Sequence, residues 1–311
     1  MSSILEFTRR SALALSLAGL CFTAPSAGAA EMGDVDDTIK LAIHEWTGQH
    51  ISTMMIGRAL KEMGYKVDFV TAGYLGAGTA LADGNLTASL EVWDNNLGDF
   101  FPKLLAESKI EDLGDLGLDA GEGFMYPAHV AEKCPGLPAY DAFAKCAQVF
   151  ATGETFPKGR FLEYPADWSN RATQMINAEK LPFTAVPAGS EGALVAELKS
   201  SIDTGEPLVM MFWSPHWILS EAQVGWVEIP TDVLDKHSMA KPRVFKIVWP
   251  GTKDKWPAAY NLMKAAVVTN EIQEPLMAKI DRDGEDAEEV VNAWMDANKA
   301  VWQGWIDAAK Q

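Results

Sequence analysis

The chain has 311 residues, 48% hydrophobic and 22% charged, with a formal net charge of −17. That length and apolar content suit a soluble protein of two domains, and a charge so negative excludes general electrostatic binding to nucleic acid or an anionic membrane. No GxxxxGK[ST] run is present, which argues against a nucleotide-driven role; tryptophan, at 11 residues against 6 tyrosines, is in excess.

At the N-terminus, Arg9-Arg10 precede an apolar stretch from Ala12 to Phe22 and then the small residues Ser26 to Ala30. A basic start, an apolar run too short to span a bilayer and a small-residue site predict a signal peptide over 1–30, cut near Ala30–Glu31. The arginine pair is compatible with Sec or twin-arginine export. Cys21 follows the bulky Leu20, which argues against a lipoprotein anchor. Cleavage removes Glu6, Arg9 and Arg10, a net +1, so the mature chain carries −17 − 1 = −18. A periplasmic, monomeric protein is expected.

The mature chain then alternates strand and helix patterns. Strands are predicted at 39–45 (IKLAIHE), 66–71 (KVDFVT) and 87–93 (TASLEVW), with helices over 52–63 and around 79–81 between them. A second run places strands at 161–164, 184–186 and 208–212 and helices at 170–180 and 192–202. The chain returns through a strand at 245–249 and closes with helices in 257–267, 270–280 and 287–309. Such alternation predicts an α/β fold of two lobes, each a mostly parallel sheet flanked by helices. Lobe 1 spans 31–122 plus 236–311 and lobe 2 spans 123–235, with crossings near Gly121 to Tyr126 and Glu228 to Asp235. Cys134 and Cys146, the only cysteines of the mature chain, are expected to form a disulfide in an oxidising compartment.

Ligands of parallel α/β sheets bind beyond the carboxyl ends of the strands. Here those ends carry tryptophans: Trp46 after IHE, Trp93 after SLEV and Trp213 after MMF, with Trp168 between a strand and its helix. One such tryptophan reads as packing. Several at equivalent ends of two lobes read as an aromatic cage, whose electron-rich faces attract a methylated ammonium that needs no hydrogen-bond acceptor.

These residues lie in stretches with a wider resemblance. GAGTALADGNLTASLEVW (76–93), GEPLVMMFWSPHW (205–217) and DGEDAEEVVNAWMDANKAVWQGW (283–305) resemble the periplasmic substrate-binding proteins of glycine betaine and choline ABC importers. The resemblance implies a two-lobed clamp without cofactor or metal, delivering its ligand to a membrane permease. It puts the cage at Trp46, Trp93, Trp168 and Trp213, with Tyr126, Asn95, Asn96 and His216 as further candidates. Choline receptors of the family read WTD where this chain has Trp46-Thr47-Gly48, so choline loses an acceptor for its hydroxyl. A histidine that holds the carboxylate in some betaine receptors is Leu97 here. Glycine betaine and trimethylamine N-oxide stay level on this reading, ahead of choline, carnitine and dimethylsulfoniopropionate.

Other constellations are weaker. His44, Glu45 and His50 lack the HExxH spacing of a zinc protease. The stretch Asp281 to Asp286 would need a bidentate glutamate where Asn292 stands to be a calcium loop, so a helix cap by Asp286 with Glu289 is expected instead. Trp294, Trp302 and Trp305 have helical core spacing. A secreted enzyme acting on a quaternary amine would need a base from Glu45, Glu91, Asp94 or Asp167, each more simply a cap or an acceptor.

Overall fold

A computed structural model describes residues 30–310 apart from Leu97 and Asp99. The predicted leader through residue 29, with Cys21, and the position of Leu97 therefore lie outside the described residues. Ten strands are described: β1 (Thr38–Ile43), β2 (Lys66–Thr71), β3 (Ala88–Trp93), β4 (Glu111–Asp115), β5 (Gly121–Pro127), β6 (Gly159–Glu163), β7 (Phe183–Pro187), β8 (Met210–Ser214), β9 (Val224–Trp226) and β10 (Val244–Val248). They form two five-stranded sheets, ordered β2-β1-β3-β10-β4 and β7-β6-β8-β5-β9.

In the first sheet β1, β2 and β3 run parallel, joined by helices α1 (Thr47–Glu62) and α2 (Tyr74–Ala82). In the second, β6, β7 and β8 run parallel. Each sheet is mixed, because one strand opposes the rest: β10 pairs antiparallel with β3 and β4, and β5 pairs antiparallel with β8 and β9. These are the strands by which the chain enters lobe 2 and returns to lobe 1. The passages between sheets are residues 116–120 and 227–243. The first predicted crossing is thus displaced, since β5 joins the second sheet from Gly121 onward.

Burial explains the element choices. All six residues of β3 and all five of β10 are buried, as strands covered on both faces must be. Lys246 in β10 is tolerated because its amine donates to the carbonyls of Lys264 and Ala266, at 3.0 and 2.6 Å. Burial still pulls its pKa down to about 8. Helix α1 starts five residues earlier than predicted, with Trp46 as its N-cap residue. Its Gly57 is required by close packing: a Cβ there would meet the Phe69 ring at 2.6 Å. The predicted disulfide is formed, with Cα atoms 5.7 Å apart.

Candidate functional site

The carboxyl ends of β1, β3 and β8 and the turn after β6 bring Trp46, Trp93, Trp213 and Trp168 around one chamber between the sheets. Trp46, Trp93 and Trp213 are buried; Trp168 is half-buried in the turn that its amide closes on Pro165. Trp46, from lobe 1, meets Trp168, from lobe 2, edge to face with centroids 5.5 Å apart. Trp168 meets Trp213 in the same way at 5.8 Å. Two tyrosines missed in the sequence complete the wall. Tyr74 lies 5.6 Å from Trp46, and Tyr164 lies 5.6 Å from Trp213. Tyr164 directly follows β6 at its carboxyl end, the same signal that flagged the tryptophans. Tyr74 opens α2 and carried no such signal.

Behind Trp46 and Trp93 stands Glu91. Strand alternation puts Glu91 on the same face as Trp93. Its Oε1 accepts both indole N–H groups, from Trp46 at 2.7 Å and from Trp93 at 3.3 Å. Its Oε2 accepts the Ser52 hydroxyl and the Gln273 amide, each at 2.8 Å. Burial pushes its carboxyl up, while these four hydrogen bonds pull the other way. Trp168 donates to Glu45 at 3.3 Å. His44 stacks on Trp46 at 5.2 Å, and burial lowers its pKa to about 4, so it is neutral at physiological pH.

The polar wall is Glu122 at the start of β5, with Asn96 and the Tyr164 hydroxyl. Glu122 Oε1 accepts from Tyr164 and from Asn96, both at 3.1 Å; Oε2 accepts from Asn95 and from Arg171, both at 2.6 Å. Arg171 does not line the chamber. It lies behind Glu122, also bonded to Asn96 and to the Ser238 carbonyl. The four lone-pair sites of the carboxylate are therefore filled, and the acceptor left on the wall is the neutral Tyr164 hydroxyl oxygen.

Of the further candidates, only Asn96 reaches the chamber. Asn95 faces Glu122 from outside. Tyr126 is packed under Gly225, where a Cβ would meet its ring at 2.4 Å. His216 Nδ1 accepts the Ile218 N–H, so its Nε2 carries the proton and donates to Glu191 at 3.2 Å. Glu191, His216 and Asp281 have ligand atoms within 4.8 Å of one another. That tautomer nevertheless leaves no imidazole lone pair for a metal, and both Asp281 oxygens already accept, from Thr47 and Trp217. Asp286 caps the helix Ala287–Ala297 by accepting from Glu289 N–H at 3.0 Å, and Trp302 and Trp305 are core residues. Gly48 lies inside α1, and the space beside it is taken by Gln273 at 3.0 Å. Among the described residues, no helix is long and apolar enough to cross a membrane.

Comparison with known proteins shows the family and the fold. The model of the substrate-binding domain of ABC-type glycine betaine transport systems, OpuAC, matches residues 37–297. The trimethylamine N-oxide-binding protein of Pelagibacter ubique (strain HTCC1062) is 28% identical over 292 residues, covering 89% of this chain and 93% of the relative. The glycine betaine-binding periplasmic protein OusX of Dickeya dadantii (strain 3937) is 23% identical over 300 residues, covering 88% and 90%. A glycine betaine/L-proline-binding protein (ProX) from Borrelia burgdorferi shares the fold, with a TM-score of 0.76 at 20% identity, over 86% of this chain and 96% of that one. The chain belongs to the OpuAC family, the substrate-binding components of betaine-type ABC importers.

Proposed function

We propose that this protein captures trimethylamine N-oxide in the periplasm, as a monomer, and delivers it to a membrane permease. The four indoles would surround the trimethylammonium group, and the polar wall would take the oxygen. The observation that carries the choice is the filled carboxylate of Glu122. Its oxygens already accept four hydrogen bonds, so a ligand hydroxyl such as choline's finds no vacant carboxylate lone pair there, only the weaker, neutral acceptor of the Tyr164 hydroxyl. An anionic oxygen can instead draw over the Tyr164 hydroxyl or the Asn96 amide, which need only turn toward it. A betaine carboxylate asks for more donors than these two and would stand beside Glu122, with Arg171 out of reach behind it. A single N-oxide oxygen asks for fewer.

Glycine betaine is the second reading, favoured by the family match over residues 37–297. Calorimetric titration of the purified mature chain with both zwitterions and with choline tests the choice. The N-oxide should bind most tightly, and choline at least tenfold more weakly, a gap of about 1.4 kcal/mol. Choline binding as tightly as the N-oxide would overturn it.

A further inference from the structure

Glu91 is a fully buried carboxylate with four hydrogen-bond donors and no cation. No described lysine, arginine or histidine lies within ion-pair distance of it. Glu122, the other acidic group at the chamber, has Arg171 at 2.6 Å. A protonated Glu91 would need an acceptor for its own O–H, and only the Ser52 oxygen among its partners could serve. To accept it, Ser52 would have to give up the hydrogen bond that its own hydroxyl donates to Glu91 at 2.8 Å. The donor set fits the anion. A buried anion held only by neutral donors lacks half of the usual arrangement, because buried charges are as a rule paired.

The missing cation has an obvious place. Two of the donors are the indole N–H groups of Trp46 and Trp93, whose rings wall the chamber. A hydrogen bond to an anion pushes electron density back into the donating ring, and chained hydrogen bonds polarise one another in a low dielectric. A ring so polarised offers a more negative face to a cation. We propose that Glu91 is the buried counter-ion of the cage, a positioning residue that acts through Trp46 and Trp93 and makes the chamber select a positive charge over mere shape. This rests on the functional reading above and adds to it which group supplies the selecting charge.

The test compares trimethylamine N-oxide with tert-butanol, which has nearly the same shape and no cationic centre, by tryptophan fluorescence and calorimetry. Glu91→Gln keeps the size and loses the charge. It should weaken N-oxide binding at least tenfold and leave tert-butanol within twofold of the wild type. Glu91→Asp keeps the charge on a shorter stem, so it should preserve the N-oxide-to-tert-butanol ratio even if both bind more weakly. It also serves if the glutamine variant does not fold. Equal losses for both ligands in Glu91→Gln, or a collapsed ratio in Glu91→Asp, would reduce Glu91 to a scaffold for the rings and overturn the proposal. A wild type that bound none of the methylated ammonium ligands would refute the functional reading itself, and the counter-ion with it.

Discussion

Replacing Trp168 with alanine separates binding from folding better than any other change in the cage. Trp93 and Trp213 are each only 5% exposed, so removing either leaves a void in packed surroundings, and large-to-small changes of that kind cost about 3–5 kcal/mol of stability. Trp168 is half-buried in a turn outside any strand or helix, and its ring meets Trp46 across the two lobes. Losing one desolvated cation–π face costs about 2 kcal/mol of binding. Losing the edge-to-face contact with Trp46 adds about 0.5–1.5 kcal/mol to the cost of bringing the lobes together. The sum, about 2.5–3.5 kcal/mol, raises the dissociation constant roughly 60-fold to a few hundred-fold. Trp168→Phe keeps a face and should lose about tenfold or less. Calorimetry gives the affinities, and thermal melting shows whether the fold is intact. If Trp168→Ala bound within twofold of the wild type at unchanged melting temperature, the ring would not belong to the site.

Three further outcomes follow from the same structure. Cys146→Ser opens a loop with a sequence separation of 12 and should cost about 3 kcal/mol in chemical denaturation; equal stability of oxidised and reduced wild type would contradict this. His44 has a folded pKa depressed to about 4 by burial, against an ordinary 6.5, so the unfolded chain protonates first. Its contribution is present above about pH 6.5 and is lost as pH falls toward 4, about 3 kcal/mol in all, and His44→Gln should flatten that part of a stability-versus-pH curve. Gly48→Asp puts a side chain into Gln273, which holds Glu91, so titrations should show the N-oxide and choline weakened alike; selective tightening of choline would contradict the packing described.

The lobes and the four tryptophans were legible because buried strands betray themselves as apolar runs and the tryptophans stand at their ends. MMFWS and ASLEVW each carry both signals. What was hidden is polar or non-local. β4 reads EDLGD and β5 begins GEG, sequences without strand periodicity that become strands only because β10 and β8 lie beside them. Glu122 sits on β5, so the carboxylate of the polar wall was lost together with its strand, while Asn96, beside the Trp93 motif, was not. Glu91 was visible beside Trp93, but its role depends on Trp46, Ser52 and Gln273, the last 182 residues away. Periodicity reports which face of an element is apolar. It does not report which buried carboxylate two distant indoles will share.

A crystal structure of the mature chain grown with trimethylamine N-oxide tests the central claim most directly. The account predicts the ligand between the lobes, its nitrogen within about 6 Å of the ring centres of Trp46, Trp93, Trp168 and Trp213, and its oxygen on the Tyr164 hydroxyl or the Asn96 amide. A ligand lodged elsewhere, or one in the chamber with its methyl groups turned away from the indoles, would contradict it.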